Sequence, residues 1–269
     1  MSAVGSPPLW RKRTARSELA IFATWVLALA FVSWCFQVMT ADTIWAFVAD
    51  APKQAADIGS RMVPPDWAFT RELLWPLWET VNIATLGTLL GVVIATPVAF
   101  LAARNTTPSA AIVRPVALLV IVASRSINSL IWALLLVAIV GPGPLAGIFA
   151  IALRSVGFIG KLLYEAIEEI DARQVEAVEA TGATPAQVMA YGIVPQVAPT
   201  LAGITVFRWD INIRESTVLG LVGAGGIGVQ LEAALGVLAW PKVTMLLIVI
   251  LATVVVSEAL SARVRRRLI

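Results

Sequence analysis

Long apolar runs separated by short polar breaks dominate the chain, and their length decides its class. Residues 19–41 carry no charge, and largely apolar runs follow at 76–103, 111–140, 145–164, 196–221 and 241–262. Each is near the roughly 20 residues that a helix needs to cross about 30 Å of hydrocarbon. The pattern predicts an all-α integral membrane protein with six transmembrane helices. The first run is longer than the apolar core of a cleaved leader, so a retained span is expected there. Residues 42–71 are mixed in polarity and contain Pro64-Pro65, too broken to span. Inside the third run, Ser124-Arg125-Ser126-Ile127-Asn128 predicts a bend, and Gly141-Pro142-Gly143-Pro144 predicts a tight turn. A glycine-rich turn and a short helix should lead from the fifth run to the sixth.

Composition agrees: the 269 residues are 59% hydrophobic and 14% charged, with a mean hydropathy of +0.86. A soluble domain of this length needs far more polar surface. The chain has no histidine and one cysteine, which excludes zinc sites and Ser-His or Cys-His nucleophilic machinery. Cys35 lies in an apolar run and is read as a small packing residue. Glu165, Glu168, Glu169 and Asp171 gather at one helix end, where solvation or contact with a basic partner accounts for them. No catalytic residue, metal site, cofactor or nucleic-acid partner is expected.

Lys and Arg near the span ends set the expected orientation. One face collects Arg11, Lys12, Arg13, Arg16, Arg104, Arg114, Arg173, Arg263, Arg265, Arg266 and Arg267. The other has Lys53, Arg61, Arg71 and Lys242 beside Asp42, Asp50, Asp57, Asp66 and Glu72. The first face is therefore expected to be cytoplasmic, with both termini inside. This gives a cytoplasmic N-terminus at 1–18, a peripheral first span at 19–41 and an extracytoplasmic loop at 42–75. The core follows at 76–262, with a cytoplasmic loop at 165–195 and a tail at 263–269.

That loop carries helix signals. Asp171 followed by Gln174 is a capping-box pattern, so a helix should begin at Ala172. Gly182 sits where a left-handed cap would end it. Thr184, Pro185 and Gln187 repeat the start signal, and the second helix should stop before Pro195. The result is a helix–glycine turn–helix knob between two spans, with small residues (Gly182, Ala183) at its tip. It reads either as an ordinary loop with two caps or as an element that docks into a partner's groove.

The spacing of Glu176-Ala177-Val178, Gly182 and Gly192-Ile193-Val194-Pro195 resembles the EAA loop of ABC importer permeases. Val178, Gly192 and Val194 depart mildly from that pattern. Trp78-Glu79-Thr80, Leu101-Ala102-Ala103-Arg104-Asn105, residues 160–171 and residues 218–228 are similar to the phosphonate-type permeases in particular, as is Pro64-Pro65-Asp66. The resemblance covers most of the chain from about residue 60 onward. It implies type I ABC importer permease architecture and ATPase coupling through Glu176, Ala177, Gly182, Ala183, Thr184 and Pro195. Two ATPase copies, an extracytoplasmic substrate-binding protein and a second copy of this chain are the implied partners, in membrane lipid. The implied cargo is a phosphonate or a related phosphorus oxyanion such as phosphite or phosphate. No G-x-x-x-x-G-K-[ST] occurs in the chain, so the ATPase is expected to be separate. The alternative function is a stand-alone secondary transporter or channel for a small anion, for which Glu79 and Asp210 would be the candidate coupling sites.

Two further features bear on the path through the membrane. Gly223-Ala224-Gly225-Gly226-Ile227-Gly228 fits G-x-G-x-x-G, but no strand precedes it, so it is no dinucleotide site. It reads as a backbone break that lets a short helix fold back into the membrane, or as N–H groups at Gly225 and Gly226 that meet a passing anion. Charged residues within spans are costly and normally face protein or a watery cavity. Asp210 and Arg214 are four apart and can pair. Arg125, Arg154 and Arg208 show no sequence-local partner; they read as translocation-path residues, or as interhelical pairs and snorkelling cations.

Overall fold

The fold is described from a computed structural model, over residues 15–268. Arg11, Lys12 and Arg13 of the basic N-terminal cluster, and the Arg267 side chain, lie outside the described residues. Among the described residues all regular structure is helical.

The described residues fall into two compact units, divided between Asp57 and Ile58. In the first, α1 (Ala15–Thr40) is apolar all round, with Leu19, Phe22, Trp25, Leu29 and Trp34 exposed. The Thr24 and Thr40 hydroxyls donate back to Ala20 O and Phe36 O at 2.8 and 2.7 Å, so they leave no unmet donor toward lipid. α2 (Trp45–Arg61) occupies most of the stretch read from sequence as broken. It has Pro52 inside and no buried residue.

In the second unit, a short 3₁₀ turn (Trp67–Phe69) is capped by the Asp66 carboxylate, which accepts from Ala68 N and Phe69 N. It leads into α3 (Thr70–Ala102), which passes through Pro76 and Pro97 and so starts earlier than the expected residue 76. α3 packs along α6 (Pro144–Glu168) through small residues. A Cβ on Gly91 would lie 2.7 Å from Ser155 Cβ, so only glycine permits this approach. Ile83, Ala95, Ala99, Ala150, Ile151, Ile159 and Leu163 fill the seam.

The third span is broken as the polar interruption predicts. α4 (Val113–Ser126) and α5 (Ser129–Val140) meet at 91°. Asn128 caps α5 by accepting from Leu130 N at 3.1 Å. The Ser124 hydroxyl accepts from Gly157 N at 2.8 Å and donates to Leu153 O. It thereby bridges the donor and acceptor of one turn of α6. A Cβ on Gly157 would lie 2.6 Å from Ile121 O and from Arg125 N, both backbone atoms. Gly157→Val should therefore destabilise the protein by about 1–3 kcal/mol, read as a lower thermal midpoint in lipid or detergent. Gly203, with nothing within 4 Å of a built Cβ, is the control: Gly203→Val should leave the midpoint nearly unchanged.

The tight turn is present, with Gly141 and Gly143 at φ 97° and 143° and Pro144 opening α6. α6 extends past the expected residue 164 because its polar last turn is tied down: Asn105 donates to Ile167 O at 2.6 Å and Arg104 N–H to Glu168 at 2.9 Å. α7 (Ala172–Glu179) and α8 (Pro185–Gln187) follow, then a π-helical turn (Val188–Ile193) and α9 (Val194–Leu219). A 3₁₀ turn (Gly220–Val222) precedes the glycine-rich turn. α10 (Ile227–Gly236) is the short apolar helix expected there, and α11 (Trp240–Leu268) is the last. α11 continues through Arg263, Arg265 and Arg266, so the basic tail is the final turns of a helix. Among the described residues, five helices are long and apolar enough to cross a membrane, six when the bent α4–α5 pair is one span.

One expectation is overturned. The second hairpin helix does not stop before Pro195. It runs through the π turn into α9, with Pro195 among the first residues of α9. A proline lacks the N–H and crowds the carbonyl one turn back; the wider π turn immediately before it takes up that misfit.

Candidate functional site

The hairpin from Ala172 to Ile193 is exposed at its tip and buried at its root. Asp171 accepts from Arg173 N at 3.0 Å, capping α7. The reciprocal half of the expected capping box comes from elsewhere: Gln196 Oε1, not Gln174, accepts from Asp171 N–H at 3.0 Å. Gln196 Nε2 donates to Gly192 O at 2.7 Å. One side chain on α9 thus clasps both arms. Gly182 has φ +79°, the left-handed geometry expected of it, and its N–H donates to Glu179 O at 2.9 Å. Thr184 N–H donates to Gln187 Oε1 at 2.8 Å, as the capping pattern at Thr184 predicts.

Glu176, Ala177, Gly182, Thr184 and Pro195 are exposed and Ala183 is half-buried. The Glu176 carboxylate makes no hydrogen bond or ion pair among the described residues. At the root, Ile193 and Val197 pack with Ala99, Ala103, Leu163 and Ile167, and Val175 and Met189 lean on the same cluster. The hairpin is therefore anchored to the ends of α3, α6 and α9, while its tip makes no hydrogen bond or ion pair outside the hairpin among the described residues.

A second constellation lies within the spans. Arg154 is ten residues into α6, about 15 Å along its axis from Pro144. Its Nη1 donates to Asn128 Oδ1 at 3.1 Å and to Ser129 Oγ at 3.2 Å, at the start of α5. Arg208 is only 3% exposed; its Nε donates to Ser155 Oγ at 3.2 Å and its Nη2 to Glu215 Oε1 at 3.3 Å. Arg154 Nε lies 3.7 Å from the same oxygen. Both guanidiniums stand over the Phe158 ring, at 5.5 and 4.7 Å from its centroid. Asn212, fully buried, ties the cluster to α3 by donating to Thr88 Oγ1 at 2.8 Å and to Ser155 Oγ at 3.0 Å.

Arg208 thus has a partner on its own helix that sequence reasoning missed, and Arg154 has one of the interhelical kind that it allowed. Arg208 and Glu215 are seven residues apart, two turns along one face of α9, a spacing that sequence alone offers. Arg154 reaches Glu215 from another helix. Asp210 pairs with Arg214 and also accepts from Ser257 Oγ of α11 at 2.9 Å. The Arg125 side chain is exposed and makes no hydrogen bond or ion pair among the described residues. Gly225 and Gly226 are buried with φ 83° and 76°. The first free N–H of α10, at Ile227, already donates to Thr80 Oγ1 at 2.8 Å, which favours a backbone break over an anion contact there. A cavity of about 530 Å³ is lined by Asn128, Ser129, Arg154, Arg214 and Glu215 among others.

A helical multi-span protein with an exposed hairpin and a buried charged cluster beside a cavity has the makings of a permease. The match over residues 87–269 is to the family described as "Binding-protein-dependent transport system inner membrane component", and the chain belongs to it. It is 43% identical over 211 residues to the phosphite transport system permease protein PtxC of Stutzerimonas stutzeri, covering 78% of this chain and 76% of that one. It is 40% identical over 228 residues to the phosphate-import permease protein PhnE of Mycolicibacterium smegmatis, covering 85% of this chain and 43% of that one. Among solved structures, a chain of the MetNI methionine ABC transporter superposes with a TM-score of 0.65 at 24% identity, covering 76% of this chain and 99% of that one. The fold is that of ABC importer permeases. The chain is a phosphonate-type ABC permease, the inner-membrane component of a binding-protein-dependent transport system.

Proposed function

We propose that this permease imports a phosphorus oxyanion, a phosphonate, phosphite or phosphate, and that the hairpin 172–193 is where its ATPase grips. The observation that carries the substrate class is the identity with phosphite and phosphate-import permeases over most of the chain. A net positive cluster of Arg154, Arg208 and Glu215 beside a cavity accords with an anionic cargo. Arg125, at the bend of the third span, is a further path candidate.

In this reading Glu176, Ala177, Gly182, Ala183 and Thr184 meet the ATPase, and Pro195 marks where hairpin becomes span. The hairpin lies in the cytoplasm with both termini, as the Lys and Arg bias requires. Two ATPase copies serve two permease copies. The second permease copy has a physical motive: charged groups lining a cavity within the spans are costly toward lipid, and a symmetric partner would cover them. The alternative, a stand-alone carrier, has no counterpart among the relatives named above.

The test is uptake into proteoliposomes holding the permease, its ATPase and its binding protein. Labelled phosphite, phosphate or methylphosphonate should accumulate only with ATP and binding protein present. Equal uptake by the permease alone, without ATP, would overturn the reading.

A further inference from the structure

We infer that Glu215 is a built-in competitor for the transported anion: its carboxylate occupies the Arg154–Arg208 pair in the empty permease and is displaced when an oxyanion passes. The inference rests on the proposed substrate class and adds a residue and a step to it.

The geometry around Glu215 is that of a stand-in, not a well-made buried ion pair. Only Oε1 is engaged, by Arg208 Nη2 at 3.3 Å and by Arg154 Nε at 3.7 Å. Oε2 is buried without a hydrogen-bond partner, and so is Arg154 Nε. Buried polar groups are ordinarily satisfied, and Asn212 Oδ1 beside them is idle as well, so one donor and two acceptors without hydrogen-bond partners in one cluster call for an explanation. Two guanidinium forks present more donors than one carboxylate oxygen uses. A tetrahedral oxyanion offers three or four acceptors and suits paired guanidiniums better.

Position supplies the second argument. Glu215 and Arg154 line the cavity, whereas Arg208 does not. Arg208 lies behind, with its side chain 4% exposed against 17% for Glu215. Glu215 therefore stands between the cavity and the deeper arginine. Asn128 and Ser129, already bonded to Arg154, line the same wall, so an anion entering there meets Arg154 first. It reaches Arg208 only as the carboxylate swings away. The competition keeps one of the pair's two positive charges neutralised between transport events and keeps the anion from binding tightly enough to stall.

The test uses the full-length permease in nanodiscs, titrated with inorganic phosphate, phosphite and sulfate, and reads both equilibrium binding and the thermal midpoint. Glu215→Gln should bind phosphorus oxyanions at least ten-fold more tightly than the parent, and its midpoint should climb with their concentration. Adding Arg154→Gln should abolish both gains. A merely structural Glu215 predicts a destabilised variant whose midpoint no oxyanion restores, and that result would overturn the inference. Should Glu215→Gln not fold, Glu215→Asp retracts the charge by one methylene, and a several-fold gain in binding is expected; unchanged or weaker binding overturns the inference equally. Gain for sulfate alone would uphold the displaced carboxylate and refute the phosphorus-oxyanion reading. Phosphite uptake by the parent with no gain in either variant would refute the displaced carboxylate and leave the import reading standing.

Discussion

Glu176→Lys is expected to reduce ATP-driven uptake at least ten-fold while the permease still folds and inserts. The side chain is exposed and makes no bond within the chain among the described residues, so the fold loses nothing when it changes; surface substitutions of this kind move stability by about 0.5 kcal/mol or less. Any large loss must then come from a contact outside the chain. Measuring uptake beside the thermal midpoint separates the two. A full loss of uptake with an unchanged midpoint and an ATPase that no longer co-purifies is the expected result. Retained uptake would remove Glu176 from the docking surface. Gly182→Val complements it: the φ of +79° strains a β-branched residue, although nothing lies within 4 Å of the built Cβ.

Arg208→Leu should destabilise the protein by about 3 kcal/mol, the low end of the cost of breaking a buried ion pair. The low end applies because Arg154 still neutralises Glu215. The Ser155 hydroxyl and one face of Phe158 also lose a partner. The double variant Arg208→Leu/Glu215→Leu should cost less than the two single changes summed, since the Arg208–Glu215 contact can be lost only once. A thermal-midpoint cycle over the four proteins measures the coupling. Additive effects would mean that the two side chains do not sense each other.

The span pattern was legible because lipid imposes it: a run of about 20 apolar residues has few structural options in hydrocarbon. The break at 124–128 was legible for the same reason, since polar residues interrupt the run where α4 and α5 turn by 91°. The caps at Asp171 and Thr184 and the left-handed Gly182 were readable because local backbone chemistry sets them. What escaped was whatever depends on distant residues. Gln196 replaces Gln174 as the reciprocal cap because it lies one helix away in space. Arg154 meets Glu215 across α6 and α9. The π turn that carries the hairpin into α9 escaped for another reason: proline at 195 reads as a stop, and only the geometry of the preceding turn shows how the chain absorbs it.

That continuity has a mechanical meaning. With α8, the π turn and α9 joined in one run, and with Gln196 clasping Asp171 and Gly192, a push on the tip by the proposed ATPase partner would be delivered into the span that carries Arg208, Asp210, Arg214 and Glu215. A hinged loop would dissipate it.

The most direct test of this lever is thiol cross-linking of the assembled transporter. Cys35 is the only cysteine in the sequence, so Cys35→Ala leaves a clean background for Ala177→Cys on the exposed hairpin. Cross-linking to single cysteines on the ATPase should be efficient and should change with bound nucleotide. A hairpin thiol that never cross-links to the ATPase, yet reacts with a membrane-impermeant reagent added outside intact cells, would contradict the account.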